Sequence, residues 1–241
     1  MIGAILLALL IVLVVAFSGM KAILQTAVVQ YGSEVLHTPV QLKETKISMV
    51  TGRAKLSGLS ICNPERYSSP YMATVERVWM KMDRGSILSD RIRIEQVELI
   101  NPTLTYERKG DISNLDEFLQ TLNSEAEKEE VGGTSAEEKR SVRISIERLL
   151  VKGAELAVIL PGGAIVRVPL PDFELRNVGG EEGEVPALIT EKIFLEFTKE
   201  ASAPEVEKMV RKAIDDMGIK LPEKWKKDIS DQIQQNFPAA S

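Results

Sequence analysis

Met1 to Met20 contains no charged side chain, and Ile2 to Phe17 is built almost wholly of Ile, Leu, Val, Ala and Gly. A helix of about nineteen residues reaches roughly 28 Å, close to the thickness of a hydrocarbon core, so this stretch is expected to span a bilayer. A cleaved signal peptide calls for basic residues ahead of the apolar run and a small-x-small site after it. Phe17-Ser18-Gly19-Met20-Lys21 does not supply that site, and an uncleaved anchor is expected. Charge barely orients it, since only Lys21 lies close by. The expected arrangement leaves the short N-terminus in the cytoplasm and exports the rest, giving a single-pass inner-membrane protein with its bulk in the periplasm. Apolar spacing carries the helix on to about residue 38, where Pro39 ends it.

The rest of the 241 residues suffices for one main core. With 30 basic and 35 acidic residues and a formal charge of −5 there is no basic excess to match a nucleic-acid backbone, so no nucleic-acid partner is expected. One cysteine, Cys62, rules out an internal disulfide, and one histidine, His37, rules out sites needing two imidazoles.

After Pro39 the apolar period falls to two, the mark of half-buried strands. Val40 and Leu42 are followed by Ile47 and Met49; after the Thr51-Gly52 turn come Ala54, Leu56 and, past Gly58, Leu59 and Ile61. Val75, Val78, Met80 and Met82 predict another strand, closed by a turn at Asp83-Arg84-Gly85-Ser86. Ile92 to Leu99 and Leu104-Tyr106, broken at Asn101-Pro102, read as one strand pair; Val142 to Leu160 reads as a second. Aligning Ile94-Glu95-Gln96-Val97-Glu98-Leu99 with Ile146-Glu147-Arg148-Leu149-Leu150-Val151 places Asn101-Pro102 on Gly153-Ala154, which predicts a repeated hairpin.

Between the pairs, Ser113 with Asp116 three residues on predicts a helix start whose apolar face is Leu115, Phe118, Leu119 and Leu122. Residues 124–141, rich in Glu, Lys, Gly, Ser and Thr, read as a mobile loop. After strand-like Ile165 to Val178, helices are expected from Pro186, from Ala203-Pro204 to about Met217, and from Pro222 towards Phe237. The expected fold is α+β: an N-terminal transmembrane helix, a twisted, mainly antiparallel β-sheet of repeated hairpins with a covering helix, and C-terminal helices. Its divisions are 1–38 for the anchor and its extension, 39–183 for the β-rich domain and 184–241 for the helical segment.

Tyr31-Gly32-Ser33-Glu34-Val35-Leu36 with Thr38-Pro39-Val40, then Gly52-Arg53-Ala54-Lys55-Leu56 through Ile61-Cys62-Asn63-Pro64, resembles the start of an AsmA-like protein. Ser86-Ile87-Leu88-Ser89-Asp90, Asn101-Pro102-Thr103-Leu104-Thr105-Tyr106-Glu107 and Asn114-Leu115 follow in that family's order. Gly153-Ala154-Glu155-Leu156 and Leu170-Pro171-Asp172-Phe173-Glu174-Leu175 with Gly179-Gly180 are similar to a small, single-unit subgroup. The resemblance implies an inner-membrane anchor, a periplasmic sheet curved into a groove, and an envelope role in lipid transport or outer-membrane assembly. An exported part this short cannot cross a periplasm, so bridging would need oligomers or a partner.

No phosphate-binding loop, nucleophile elbow or dinucleotide fingerprint is present, and no enzyme activity or cofactor is expected. His37 fits a capping or surface role and Cys62 an inert, half-buried thiol. Asn63-Pro64 reads as a strand terminator and Glu181-Glu182 as solvated charge. Two readings of the function stand side by side. In the first, alternating side chains Leu56, Leu59, Ile61, Ile92, Ile94, Val97, Leu99, Val151 and Val158 face acyl chains of a phospholipid. In the second, the chain is an accessory subunit that joins a larger inner-membrane complex, another envelope protein or its own copies, without a lipid ligand. Lys220, Lys224, Trp225, Lys226 and Lys227 are candidates for contact with a membrane surface, because lysine attracts anionic head groups and tryptophan favours the interface.

Overall fold

The computed structural model describes residues 29 to 218, apart from 31, 35, 49, 87–88 and 132–141. The apolar N-terminal run, the helix expected from Pro222 and the lysine-tryptophan cluster lie outside the described residues. Among those described, no helix is long and apolar enough to cross a membrane. Helical residues 29, 30, 32–34 and 36 give way at His37, which is exposed and takes a positive φ of 48°, a common way to leave a helix. Ser33 Oγ accepts from the Val40 amide at 2.8 Å, and Thr38 Oγ1 donates to the Cys62 carbonyl, also at 2.8 Å. The helix end is thereby tied to the first hairpin.

The fold is α+β around one large, open sheet of nine strands. Strands β1 (Val40–Ser48), β2 (Arg53–Cys62), β3 (Tyr71–Met82) and β4 (Arg91–Lys109) run antiparallel in sequence order. A two-residue β5 (Ile112–Ser113) pairs with the end of β4 and leads into α1 (Asn114–Val131). Next come β6 (Arg143–Lys152), β7 (Glu155–Ile159), β8 (Ile165–Pro169) and β9 (Phe173–Val178), then α2 (Pro186–Ala201) and α3 (Pro204–Asp216). Both late helices carry proline in their first turn, where the missing amide costs nothing.

The predicted repeated hairpins are not formed. Beside β4 lie β6 along its first half and β7 along its second, both parallel to it, so the sheet is mixed. The internal similarity of the sequence is nevertheless the actual register: Ile94 pairs with Ile146, Val97 with Leu149 and Leu99 with Val151. Asn101 and Gly153 are kinks rather than reversals, with φ of 50° and 63°. A parallel pair needs a long crossover, and the stretch from β5 through α1 supplies it.

These kinks belong to a single crease. The ladders skip the pairs that would join Lys43 to Gly58, Gly58 to Glu76, Glu76 to Asn101, and Asn101 to Gly153. One extra residue in each strand, on the same transverse line, resets the alternation without shifting the register. Apolar residues three apart therefore share a face: Leu56 with Leu59, Leu99 with Pro102, Val151 with Ala154. The crease borders a groove of about 650 Å³ whose lining includes Lys43, Gly58, Leu59, Val75, Glu76 and Asn101. There Asn101 Nδ2 donates to Glu76 Oε2 at 2.6 Å, and this bond, with help from Arg77, holds the Glu76 carboxyl below its ordinary range.

The α1 helix begins as predicted. Ser113 Oγ accepts from the Asp116 amide at 3.1 Å, while Asp116 Oδ2 accepts from the Ser113 amide, a reciprocal cap. It runs to Val131, into the stretch that reads as a mobile loop; Glu, Lys and Ala are strong helix formers. In α2, Ile189, Phe194 and Phe197 are buried and Leu195 is exposed.

A Cβ on Gly153 would stand 2.5 Å from Asn101 Oδ1 at a left-handed φ. Gly153→Ala is expected to cost about 1–3 kcal/mol in urea unfolding, whereas Gly162→Ala, where a Cβ meets nothing within 4 Å, pays the backbone term alone.

Candidate functional site

The inner face of the sheet carries continuous apolar rows across the strands. Below the crease, Leu56, Val78, Leu99 and Val151 stand in line, with Ala54, Met80, Val97 and Leu149 beside them. Above it, Leu59 pairs with Val75, and Ile61 lines up with Ala73, Leu104 and Leu156. Charged side chains fill the other face, where Lys55 Nζ lies 4.9 Å from the centroid of the exposed Trp79 ring.

Helices cover one part of the inner face more than another. Phe118 and Leu122 of α1 and Phe194 and Phe197 of α2 are buried, with Phe118 edge-on to Phe194 at 4.9 Å and Phe197 edge-on to Phe173 of β9 at 5.0 Å. Val206, Val210 and Ile214 of α3 are buried in the same core as Val166 and Val168 of β8. The helix-to-sheet contacts fall mainly on β4, β6, β8 and β9. Accordingly, of the nine residues predicted to face a ligand, Leu56, Ile94, Val97, Val151 and Val158 are buried. The other four, Leu59, Ile61, Ile92 and Leu99, are half-buried.

Sequence reasoning left Ala73, Val75 and Met80 of β3 out of that set, although they are half-buried on the same rows. Their signal was present: alternation in β3 breaks at Glu76-Arg77, as it breaks at Gly58 in β2. Burial of the other five could not be read from period two, which marks a face without saying what lies on it.

The covering layer is locked to the sheet by a buried polar knot. Asn114, with 0% exposure, accepts from the Glu107 amide at 2.9 Å and donates to the Thr105 carbonyl at 2.7 Å and to Asn63 Oδ1 at 3.0 Å. Asn63 in turn donates to the Ser69 carbonyl at 2.9 Å, and Glu107 accepts from the Ser68 and Ser69 amides at 2.7 and 2.9 Å. Asn63-Pro64 therefore ends β2 and fastens the loop after it, the structural role its residue types suggest. On the rim Arg66 and the Tyr67 hydroxyl both bond Glu117; burial first, then that bond, pushes the Tyr67 phenol up to about 12.

Such a face can bury hydrocarbon, at about 0.8 kcal/mol per methylene. Among the described residues no group of His, Cys, Asp or Glu could hold a metal ion. Cys62 is half-buried, and its thiol accepts a long contact, 3.5 Å, from Gln41 Nε2.

Asn114→Ala would leave the Glu107 amide and the Thr105 carbonyl unpaired in the core. The expected loss is about 1–3 kcal/mol, read as a lower urea midpoint at unchanged slope.

A model of the AsmA family matches residues 1–160, the stretch that ends just past β7. No curated protein matches the chain.

Proposed function

Because this chain belongs to the AsmA family, we propose that it is a non-enzymatic envelope protein, anchored in the inner membrane by its N-terminal run, that handles lipid with the half-buried part of its sheet. The sheet stands in the periplasm, and its work is in lipid transport or outer-membrane assembly. The observation that carries this reading is the uneven covering of the inner face. Leu59, Ile61, Ala73, Val75 and Met80 keep partial exposure among buried neighbours such as Leu42, Leu56 and Val78, while most of the apolar side chains of β6 to β8 are buried. An acyl chain along these rows would bury methylenes at roughly 0.8 kcal/mol each, so a few contacts suffice for binding that remains reversible.

Leu59 and Val75 stand directly opposite each other on neighbouring strands. Leu59→Lys with Val75→Glu replaces that apolar contact by a cross-strand ion pair that the sheet can tolerate. For the full chain extracted in a mild nonionic detergent, mass spectrometry should find phospholipid in stoichiometric amount, and the double variant should lose most of it while melting within a few degrees of the parent. Absence of lipid from the parent, with a stable protein partner in its place, would instead make the chain an accessory subunit.

A further inference from the structure

The far end of the sheet from Val40 holds an arrangement that stability alone does not explain. Parallel pairing sets Arg91 of β4 directly opposite Arg143 of β6, and Arg93 opposite Ser145 one step along the same face. Neighbouring strands lie about 4.8 Å apart, and like charges placed opposite each other destabilise a sheet. Together with Ser86 and Ser89 these residues line a small cavity of about 180 Å³ on the outer face.

Three carboxylates, Asp83, Glu181 and Glu182, stand near the three guanidinium groups, but the contacts they make are unequal. Arg93 is paired with Asp83 at 2.5 Å. Arg91 pairs with Glu182, but the two side chains are 57% and 76% exposed, which makes this a weak, exchangeable surface contact. Glu181 also lines the cavity. Among the described residues Arg143 has no carboxylate partner; its Nη1 donates to the Gly183 carbonyl at 3.2 Å. Each guanidinium has five N–H donors, more than these contacts use. The Ser86 hydroxyl accepts from the Arg93 amide at 2.9 Å and donates to the Asp83 carbonyl at 2.8 Å, while the Arg143 amide donates to the Asp90 carbonyl at 2.8 Å.

We propose that Arg91, Arg93 and Arg143 form a binding site for a phosphate group. Guanidinium forks match phosphate oxygens in pairs, and a group carrying more than one acceptor oxygen can bridge Arg91 and Arg143, displacing Glu182 from the first and supplying the charge that the second lacks. The chemistry is the same for a phospholipid headgroup and for a free phosphate.

The test uses the full chain in neutral detergent micelles at constant ionic strength. Inorganic phosphate is titrated in one arm, and micelles doped with phosphatidylglycerol are compared with undoped ones in the other. Saturable binding of either supports the site and names the source, and Arg143→Ala and Arg143→Gln should each weaken it by about tenfold, the loss of one charge-assisted contact. In chloride without ligand, the same variants should melt no lower than the parent, since they relieve the repulsion. No saturation in either arm, undiminished binding by both variants, or a lowered melting temperature in chloride would overturn the proposal, the last by making Arg143 a structural partner of the Gly183 carbonyl.

Discussion

Everything in this sheet depends on the crease that crosses it through Lys43, Gly58, Glu76, Asn101 and Gly153. A strand of nineteen residues such as β4 would ordinarily keep one strict alternation along its whole length. With an extra residue in a single strand, the registers on either side would disagree by one, and a one-residue slip turns every side chain to the wrong face. Because the extra residue occurs in each neighbour on the same line, the ladders resume together and the inner face stays apolar on both sides. The cost is local: three backbones at positive φ, one of them non-glycine, with Asn101 held there by its bond to Glu76. The Gly153 amide is also met, by Asp172 Oδ1 at 2.8 Å.

The helical layer follows from that constraint. The parallel strands β6 and β7 can lie beside β4 only after a crossover, and α1 is the crossover's ordered part. The knot of Asn63, Asn114 and Glu107 fixes where α1 starts, so Phe118 and Leu122 point into the β4 to β9 side of the face, and α2 packs against them. The free edge at β1 is left with less cover. It carries Lys43 and Lys46 among its outward residues, a common guard against pairing with other chains.

How much of this could be read in the residues differs from element to element. The strands β1 to β3, their turns, the Ser113 and Asp116 cap and the proline-led helices follow from local rules, since turn chemistry and caps act within four or five residues. The alignment of Ile94 with Ile146 holds the true register of the central pair, yet by itself it reads as a repeated hairpin. A residue suited to a left-handed backbone, such as Asn101 or Gly153, is equally the mark of a reversal and of a bulge, and only tertiary pairing decides between them. The same fifty-two-residue offset carries Arg91 onto Arg143, so the arginine pair was within reach of the alignment once the strands were known to be parallel. The cover over Val151 and Val158 was not, because no pattern within a strand records which helix packs on it. The nine ligand-facing candidates thus lie on one face, but that face divides into a closed and a half-open part.

The two faces of the same strands carry opposite physics at the far end. Ile92 and Ile94 turn inward while Arg91 and Arg93 turn outward, and Ile144 and Ile146 do the same beside Arg143 and Ser145. A sequence under selection for stability alone would rarely keep two arginines opposed across a parallel ladder when any polar residue satisfies an outer face. Local rules are broken in natural proteins mostly where function requires it, with the cost met elsewhere in the fold. Here the compensation is the well-packed Ile94, Ile146 and Val178 row directly beneath, which is buried and fixes the strand ends whether or not the charges above them are matched.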